Sequence, residues 1–493
     1  MYELKHVTPE SEGIPSDAVV RFIDKVTEYR MNIHSFAFIR RGNVAAEAYA
    51  KPFFDENFNH RLYSCSKSFV SLAIGKLVRE NKVKLTDKIC SYFTEFVDEN
   101  TDEKVKETTI EDMLEMSVSP LTDSYALRPD LPWAESFFKV RGVKPSGTVF
   151  DYNSSGSFVL GALVEKLTGK TFIEYLRPEF DEIGVSGNIR CVTSPDGYAW
   201  GASGVICTLR DFAKVCLLVM NKGEHNGKRL LPSEYIAAAT SKQIANYTRN
   251  DYTPRKSRGY GYQFWITDKG YSMYGMGSQY AFFFPDKDFL FVCNGDTQVG
   301  GDDFCGEFLY EWVSEVYDRI STDSLPESNA ADNLEKRISE FGLPKSDGDE
   351  DSDFRPAVDG AEYELEPNDM GIKRFALEFC DDGGTFVYEN KRGVKRIKFG
   401  MCRYERGTFP ETNYYSERVS VPSGREFDCV AAAEWVEKEK LLIRIYVIDN
   451  CMGNLFITLG FKGDDVGIEM NKRAEFFLDD YDGFACGHRM KRG

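Results

Sequence analysis

Tyr63-Ser64-Cys65-Ser66-Lys67-Ser68, followed by Phe69, Val70, Leu72, Ala73, Ile74, Leu77 and Val78, is the stretch whose reading decides the fold. Its apolar residues are too dense for a surface stripe, so they predict a largely buried helix. Ser64 opens that helix and Lys67 follows one turn later. Residues at i and i+3 share a helix face, so hydroxyl and amine can meet. A helix start also leaves backbone N–H groups unpaired, ready to receive an anion. A lysine held among apolar side chains loses solvation, which lowers its pKa and suits it to act as a base. Nucleophile, base and anion-stabilising end thus fit within one turn. S-x-x-K alone is a weak signal. Ser136-Phe137-Phe138-Lys139 has the same spacing, and a capping serine with a surface lysine gives the pattern without any chemistry.

The chain has 493 residues, which predicts two or three domains, and 42% hydrophobic residues, enough for a large core. Its net charge of −18 argues against a nucleic-acid or anionic-membrane partner. No apolar run approaches the ~18 residues of a membrane span. The N-terminal residues lack an apolar export segment. Twelve cysteines are scattered without C-x-x-C pairs or His/Cys clusters. Together these lead us to expect a cytoplasmic location, free thiols and no structural zinc.

Outward from the Ser64 helix, residues 15 to 30 carry Val19, Val20, Phe22, Ile23 and Val26 at helical spacing. His34 to Ile39 reads as a strand, Arg40 to Asn43 as a turn, and Val44 to Ala50 as the return strand. Thr109 to Leu114 looks like a capped helix start, and residues 118 to 150 like loop. Helices are expected over Phe158–Leu167, closed by Gly169, and over Leu209–Met220. Strands are expected over Tyr260–Ile266, Tyr280–Pro285 and Phe289–Val292, then a helix over Phe304–Val316. Strands early and late with helices between predict one sheet built from both ends of the segment. The domain reading is 1–320, an acidic linker over 321–360 with a short helix near 331–341, and a β-rich domain over 361–493. In the last, Phe375, Leu377 and Phe379 alternate, as do Leu441, Ile443, Ile445 and Val447, which predicts a small antiparallel barrel or sandwich.

Two further stretches carry chemistry. Phe150-Asp151-Tyr152-Asn153-Ser154-Ser155-Gly156 places a tyrosine before a helix. A phenol beside a lysine ammonium can serve as proton donor to a leaving group; a buried tyrosine with a satisfied hydroxyl is the plainer reading. Gly275-Met276-Gly277-Ser278-Gln279-Tyr280 enters a strand, and glycine there permits close approach to a ligand. An N–H from this edge and the N–H of Ser64 could form an oxyanion hole; a plain hairpin turn is the alternative. There is no G-x-S-x-G elbow, H-E-x-x-H, P-loop or dinucleotide fingerprint. His60, near Ser64 in sequence, reads as structural.

The order Ser64-x-x-Lys67, Tyr152 in an F-x-Y context, then a glycine-rich strand entry resembles the serine β-lactamase and penicillin-binding-protein superfamily. The closer likeness is to its class C-type branch, which also holds esterases and amide hydrolases. Thr8 to Ile14, Leu160-Gly161 with Gly169, Gly201 to Asp211, Asn226 to Leu231 and Gly277-Ser278-Gln279 support it, over roughly residues 8 to 316. The resemblance implies an α/β fold: an antiparallel sheet with flanking helices and a helical subdomain. It implies Ser64 as nucleophile, Lys67 as base and Tyr152 as proton shuttle, with no metal or organic cofactor. Backbone N–H groups of Ser64 and Gln279 become the oxyanion hole, and Asn153, Ser154, Met276, Gly277 and Ser278 line the substrate. Two positions depart from the family. The second motif is commonly Tyr-x-Asn, and here that Asn position holds Ser154. The third commonly offers Lys or His, and here Met276 stands there. Methionine cannot neutralise a substrate carboxylate, so unless an arginine such as Arg258 swings in, penicillins and D-Ala-D-Ala peptides should be poor substrates. The expectation is a serine hydrolase acting through an acyl-enzyme on a small, uncharged ester or amide. A β-lactamase or D-amino-acid peptidase, and a weakly catalytic ligand-binding member of the fold, are the alternatives.

Overall fold

Spacing predicts the early elements correctly: helix α1 (Ser16–Glu28), and strands β1 (Ile33–Arg40) and β2 (Asn43–Tyr49) joined by a tight turn. Helices α2 (Ser66–Arg79), α3 (Ser154–Thr168) and α4 (Leu209–Met220) follow. Strands β3 (Trp265–Ile266), β4 (Tyr271–Gly275), β5 (Gln279–Phe284) and β6 (Phe289–Gly295) come next, then helices α5 (Asp302–Asp318) and α6 (Ala330–Ser339). The computed structural model describes residues 3–120, 123–246, 258–297, 302–414, 421–422, 424–449, 451–472 and 481–490. Contacts divide the chain into two units, Met1–Leu343 and Pro344–Gly493.

In the first unit, six strands pair antiparallel in the order β2-β1-β6-β5-β4-β3. The sheet thus joins both ends of the segment, as the strand distribution implies. β1, β5 and β6 are buried along their whole length, which is why they read as continuous apolar runs rather than alternating ones. Phe22 of α1 meets Phe36, Phe38 and Phe291 edge-on, with centroids 5.2, 5.1 and 5.3 Å away. Such ring pairs add about 0.5–1.5 kcal/mol each beyond the area they bury. Helix α4 packs against β1, β5 and β6, and α2 against α3.

The structure corrects several expectations. Of Tyr260–Ile266 only Trp265–Ile266 is strand, because Gln263 turns left-handed at φ 66° and its amide bonds the carbonyls of Met113 and Leu114. The segment 118 to 150 is less irregular than its prolines imply: Ser124–Leu127 and Trp133–Lys139 are short helices, with Tyr125 stacked on Trp133 at 4.5 Å. The second S-x-x-K is not a site. Ser136 Oγ bonds Ser124 Oγ and the Trp133 carbonyl, and Lys139 pairs with Asp98.

Residues 321–360 do not form a tether. Helix α6 packs on α1, and Phe341 lies edge-on to Phe36 at 5.3 Å, so this half belongs to the first unit. The acidic run belongs to the second. The N–H groups of Asp347 and Gly348 both donate to Glu434 Oε2 at 2.6 Å, and Asp349 pairs with Trp435 as a bridge. A buried carboxylate needs such donors, and the acidic segment supplies them from its backbone.

The second unit is β-rich, with a short helix at Arg355–Val358 and ten strands between Glu362 and Arg489 in one sheet among the described residues. Gly393–Met401 pairs both with its hairpin neighbour and, in parallel, with Phe427–Glu437 through Gly400↔Ala432 and Met401↔Ala433. That contact closes nine of the strands into a barrel and leaves their edges paired. Phe375, Leu377, Ile443 and Ile445 are buried, so the alternation read from the sequence marks the barrel core. No helix among the described residues is long and apolar enough to cross a membrane.

Candidate active site

Ser64 lies in a short 3₁₀ turn, Tyr63–Cys65, and α2 begins only at Ser66. Ser64 therefore stands just before the helix rather than inside its first turn. Tyr63 is left-handed at φ 45°, with the Arg61 guanidinium 4.4 Å over its ring. Strand β4 reaches this turn through Gly275, where any Cβ would collide with the Leu62 carbonyl oxygen. Glycine is required there because two backbones touch.

Lys67 is 2% exposed. Its Nζ lies 3.0 Å from Ser64 Oγ and donates to the Ala202 carbonyl at 2.7 Å. It also sits 5.0 Å from the centroid of the Tyr152 ring. Tyr152, from the segment entering α3, stacks on Trp265 at 5.5 Å and shares a hydrogen bond with the Ser64 hydroxyl. The structure thus brings Ser64, Lys67 and Tyr152 together. Burial pushes the Tyr152 phenol well above its usual range, and only the bond to Ser64 opposes this. Tyr152 is therefore a neutral phenol that can donate and relay a proton, not a phenolate.

The Ala202 carbonyl is itself held in place. Arg61 bonds Ser203 through Nε (2.8 Å, to the carbonyl) and a terminal nitrogen (3.0 Å, to Oγ), and lies 4.6 Å over Trp200. The Val205 N–H donates to Ser66 Oγ at 2.9 Å. Sequence reasoning missed Ala202 because it acts through its backbone, which no side-chain identity marks. It also missed Asp123. That carboxylate accepts the Ser154 N–H at 2.8 Å, and its charge helps to raise the Tyr152 phenol.

Gln279 opens β5, fully buried, with its carbonyl accepting from Cys65 Sγ at 3.2 Å. In an extended residue N–H and C=O point to the same edge, so the Gln279 N–H faces β4, where Gly275 is its ladder partner, and is not a free donor toward Ser64. Met276 and Ser154 are half-buried, whereas Gly277 and Ser278 are buried within the turn. Arg258 is exposed. Asn153 departs from expectation. It is fully buried and caps α3, its Oδ1 accepting the Gly156 N–H at 3.1 Å while its Nδ2 donates to the Pro120 carbonyl at 3.1 Å. Its amide serves the helix start, not a substrate.

His60 pairs with His34, Nε2 to Nδ1 at 3.2 Å, and both rings are buried. Burial lowers His60 to about 3 and His34 well below its usual value, so the pair is neutral and structural.

The Beta-lactamase family profile matches residues 19–306, more than half of the chain. The 6-aminohexanoate-dimer hydrolase of Paenarthrobacter ureafaciens is 23% identical over 289 residues, which cover 53% of this chain and 73% of that one. A structure from Bacillus anthracis, provisionally assigned as a 6-aminohexanoate-dimer hydrolase, matches with a TM-score of 0.52 at 20% identity, over 66% of this chain and 89% of its own. The octameric penicillin-binding protein homologue of Pyrococcus abyssi matches at 0.50 and 14% identity, over 96% of this chain and 99% of its own, and so shares the fold of both units. From the family profile, and from a serine, a lysine and a tyrosine meeting as the fold requires, the chain belongs to the Beta-lactamase family and is a serine hydrolase.

Proposed function

We propose that the protein cleaves a small ester or amide through an acyl-enzyme on Ser64. The observation that carries this reading is the 3.0 Å approach of the buried Lys67 Nζ to Ser64 Oγ, with the Tyr152 phenol bonded to the same oxygen. Lys67, as the free amine, takes the Ser64 proton while Oγ attacks the carbonyl carbon. The Ser64 N–H, with a second backbone N–H from the turn between β4 and β5, receives the oxyanion. On collapse, the leaving group departs with a proton relayed from Lys67 through Tyr152. A water molecule then attacks the ester carbon along the same proton path in reverse, freeing the acid and restoring Ser64.

Charge narrows the substrate. Met276 offers no cation, and Asp123 places a negative charge near the Tyr152 hydroxyl. Both disfavour a carboxylate there and favour a neutral or cationic group. The Paenarthrobacter relative is named a 6-aminohexanoate-dimer hydrolase, which agrees with amide hydrolysis. The test is a panel of p-nitrophenyl esters, aryl amides and nitrocefin, together with a fluorophosphonate probe, on wild type and Ser64→Ala. The expected result is ester or amide turnover and labelling that vanish in Ser64→Ala, with little nitrocefin hydrolysis. Equal labelling of both proteins rejects Ser64 as nucleophile. Fast nitrocefin turnover would favour the β-lactamase reading.

A further inference from the structure

The Tyr152 phenol depends on its neighbours for its aim. Its backbone belongs to neither helix nor strand, and α3 begins only at Ser154. The flanking N–H groups both anchor to Met116, that of Asp151 donating to the carbonyl at 2.7 Å and that of Asn153 to Sδ at 3.3 Å. These bonds hold the main chain and leave the side chain free to choose among its staggered rotamers. The hydroxyl bonds Ser64, but that bond must break and re-form during the reaction. What remains is the ring. Among the described residues it stacks on one other ring, that of Trp265, with 5.5 Å between centroids and 22° between planes. Lys67 Nζ lies 5.0 Å from its centroid. Trp265 is itself confined. Tyr260 and Tyr274 meet the indole edge-on at 5.0 and 6.3 Å, each at 85°, and Phe150 at 5.9 Å and 69°. Its backbone pairs with Ser272 of β4 and with Tyr260.

We infer that Trp265 is a positioning residue for proton transfer: its indole fixes the plane of the Tyr152 ring and so aims the phenol at Ser64 Oγ and at the atom that leaves the substrate. The hydroxyl sits at the far end of the tyrosine ring, where a small rotation about the Cα–Cβ bond sweeps it furthest. Three edge-on rings keep the indole from yielding to such a rotation. This matters for leaving groups that need a proton. When the C–N bond of an amide breaks, its electron pair passes to nitrogen, which takes the Tyr152 proton, and Tyr152 takes one from the Lys67 ammonium. p-Nitrophenolate leaves as the anion and needs none. The inference rests on the acyl-enzyme reading above, and it makes Trp265 the residue that extends cleavage from activated esters to amides.

The test compares the anilide and the p-nitrophenyl ester of one short acid, which share the acyl group and its deacylation. kcat/KM is the readout, because it covers the steps up to acylation. Trp265→Leu keeps apolar bulk and removes the flat ring, and Trp265→Phe keeps a ring. Trp265→Leu should lower kcat/KM for the anilide by about 10- to 10²-fold, the cost of a reacting group displaced by up to about 1 Å, and for the ester by less than about threefold. Trp265→Phe should recover the anilide. In a Tyr152→Phe background, adding Trp265→Leu should change the anilide-to-ester ratio no further. An unchanged ratio, a ratio that phenylalanine fails to recover, or the same loss added on top of Tyr152→Phe overturns the inference while the hydrolase reading stands. Wild type that turns over the ester and not the anilide overturns it too. Wild type without Ser64-dependent turnover of either overturns both. Should Trp265→Leu not fold, Trp265→Met puts a flexible apolar chain in its place and carries the same comparison.

Discussion

The proposed mechanism depends on Lys67 as base, and replacing it separates base catalysis from mere charge. Lys67→Met keeps the volume of the buried stem but has no amine. Lys67→Arg keeps a cation that cannot give up its proton near neutral pH. Nζ lies 3.0 Å from Ser64 Oγ, within reach for direct proton transfer. A positioned base contributes about 10²–10⁴ in rate, or ~2.7–5.4 kcal/mol of barrier. Both variants should lose acylation by that amount. Lys67→Met also leaves the Ala202 carbonyl without the Nζ donor it has at 2.7 Å, which costs about 1–3 kcal/mol of stability. Removing a buried ammonium offsets part of that cost, so the melting temperature should move by only a few degrees. Acylation is read by stopped-flow release of p-nitrophenolate and by mass spectrometry of the fluorophosphonate adduct, alongside thermal unfolding of the same samples. Acylation within fivefold of wild type in either variant would refute Lys67 as the base. So would an Arg variant that keeps full activity, since charge alone would then suffice.

Three other outcomes are expected. Tyr152→Phe keeps the stack on Trp265 and removes the phenol, so it should fold normally and lose about 10²–10³ in kcat; steady-state kinetics with amide substrates checks this. Met276→Lys should raise acylation by benzylpenicillin relative to a neutral ester by about 10-fold, the low end for one charge-assisted contact because the position is half-buried; an unchanged ratio would remove Met276 from the substrate site. The histidine pair makes stability fall as pH drops below about 6.5. The unfolded chain takes up protons there, whereas folded His60 does so only near 3 and folded His34 also stays neutral. Each such proton contributes about 1.4 kcal/mol per pH unit. His60→Gln should flatten the urea-unfolding free energy between pH 6.5 and 5 by about one proton.

The sequence alone determined the sheet built from both ends of the first segment, the barrel alternation and the S-x-x-K helix. Each depends on periodic apolar residues whose burial outweighs local detail. It also singled out Ser64, Lys67 and Tyr152, which the fold brings together, because short local spacing and a marked motif survive translation into a linear string. Tertiary structure alone decided the rest. It put Ser64 on a turn ahead of α2, and made Ala202 the partner of Lys67 through a carbonyl common to every residue. It committed Asn153 to a helix cap and fastened the acidic run to Glu434. It kept Tyr152 neutral, because burial, which no neighbour in sequence reports, outweighs the hydrogen bond from Ser64. These outcomes depend on which backbone groups and charges meet across long stretches of chain, and that is set only when the elements pack.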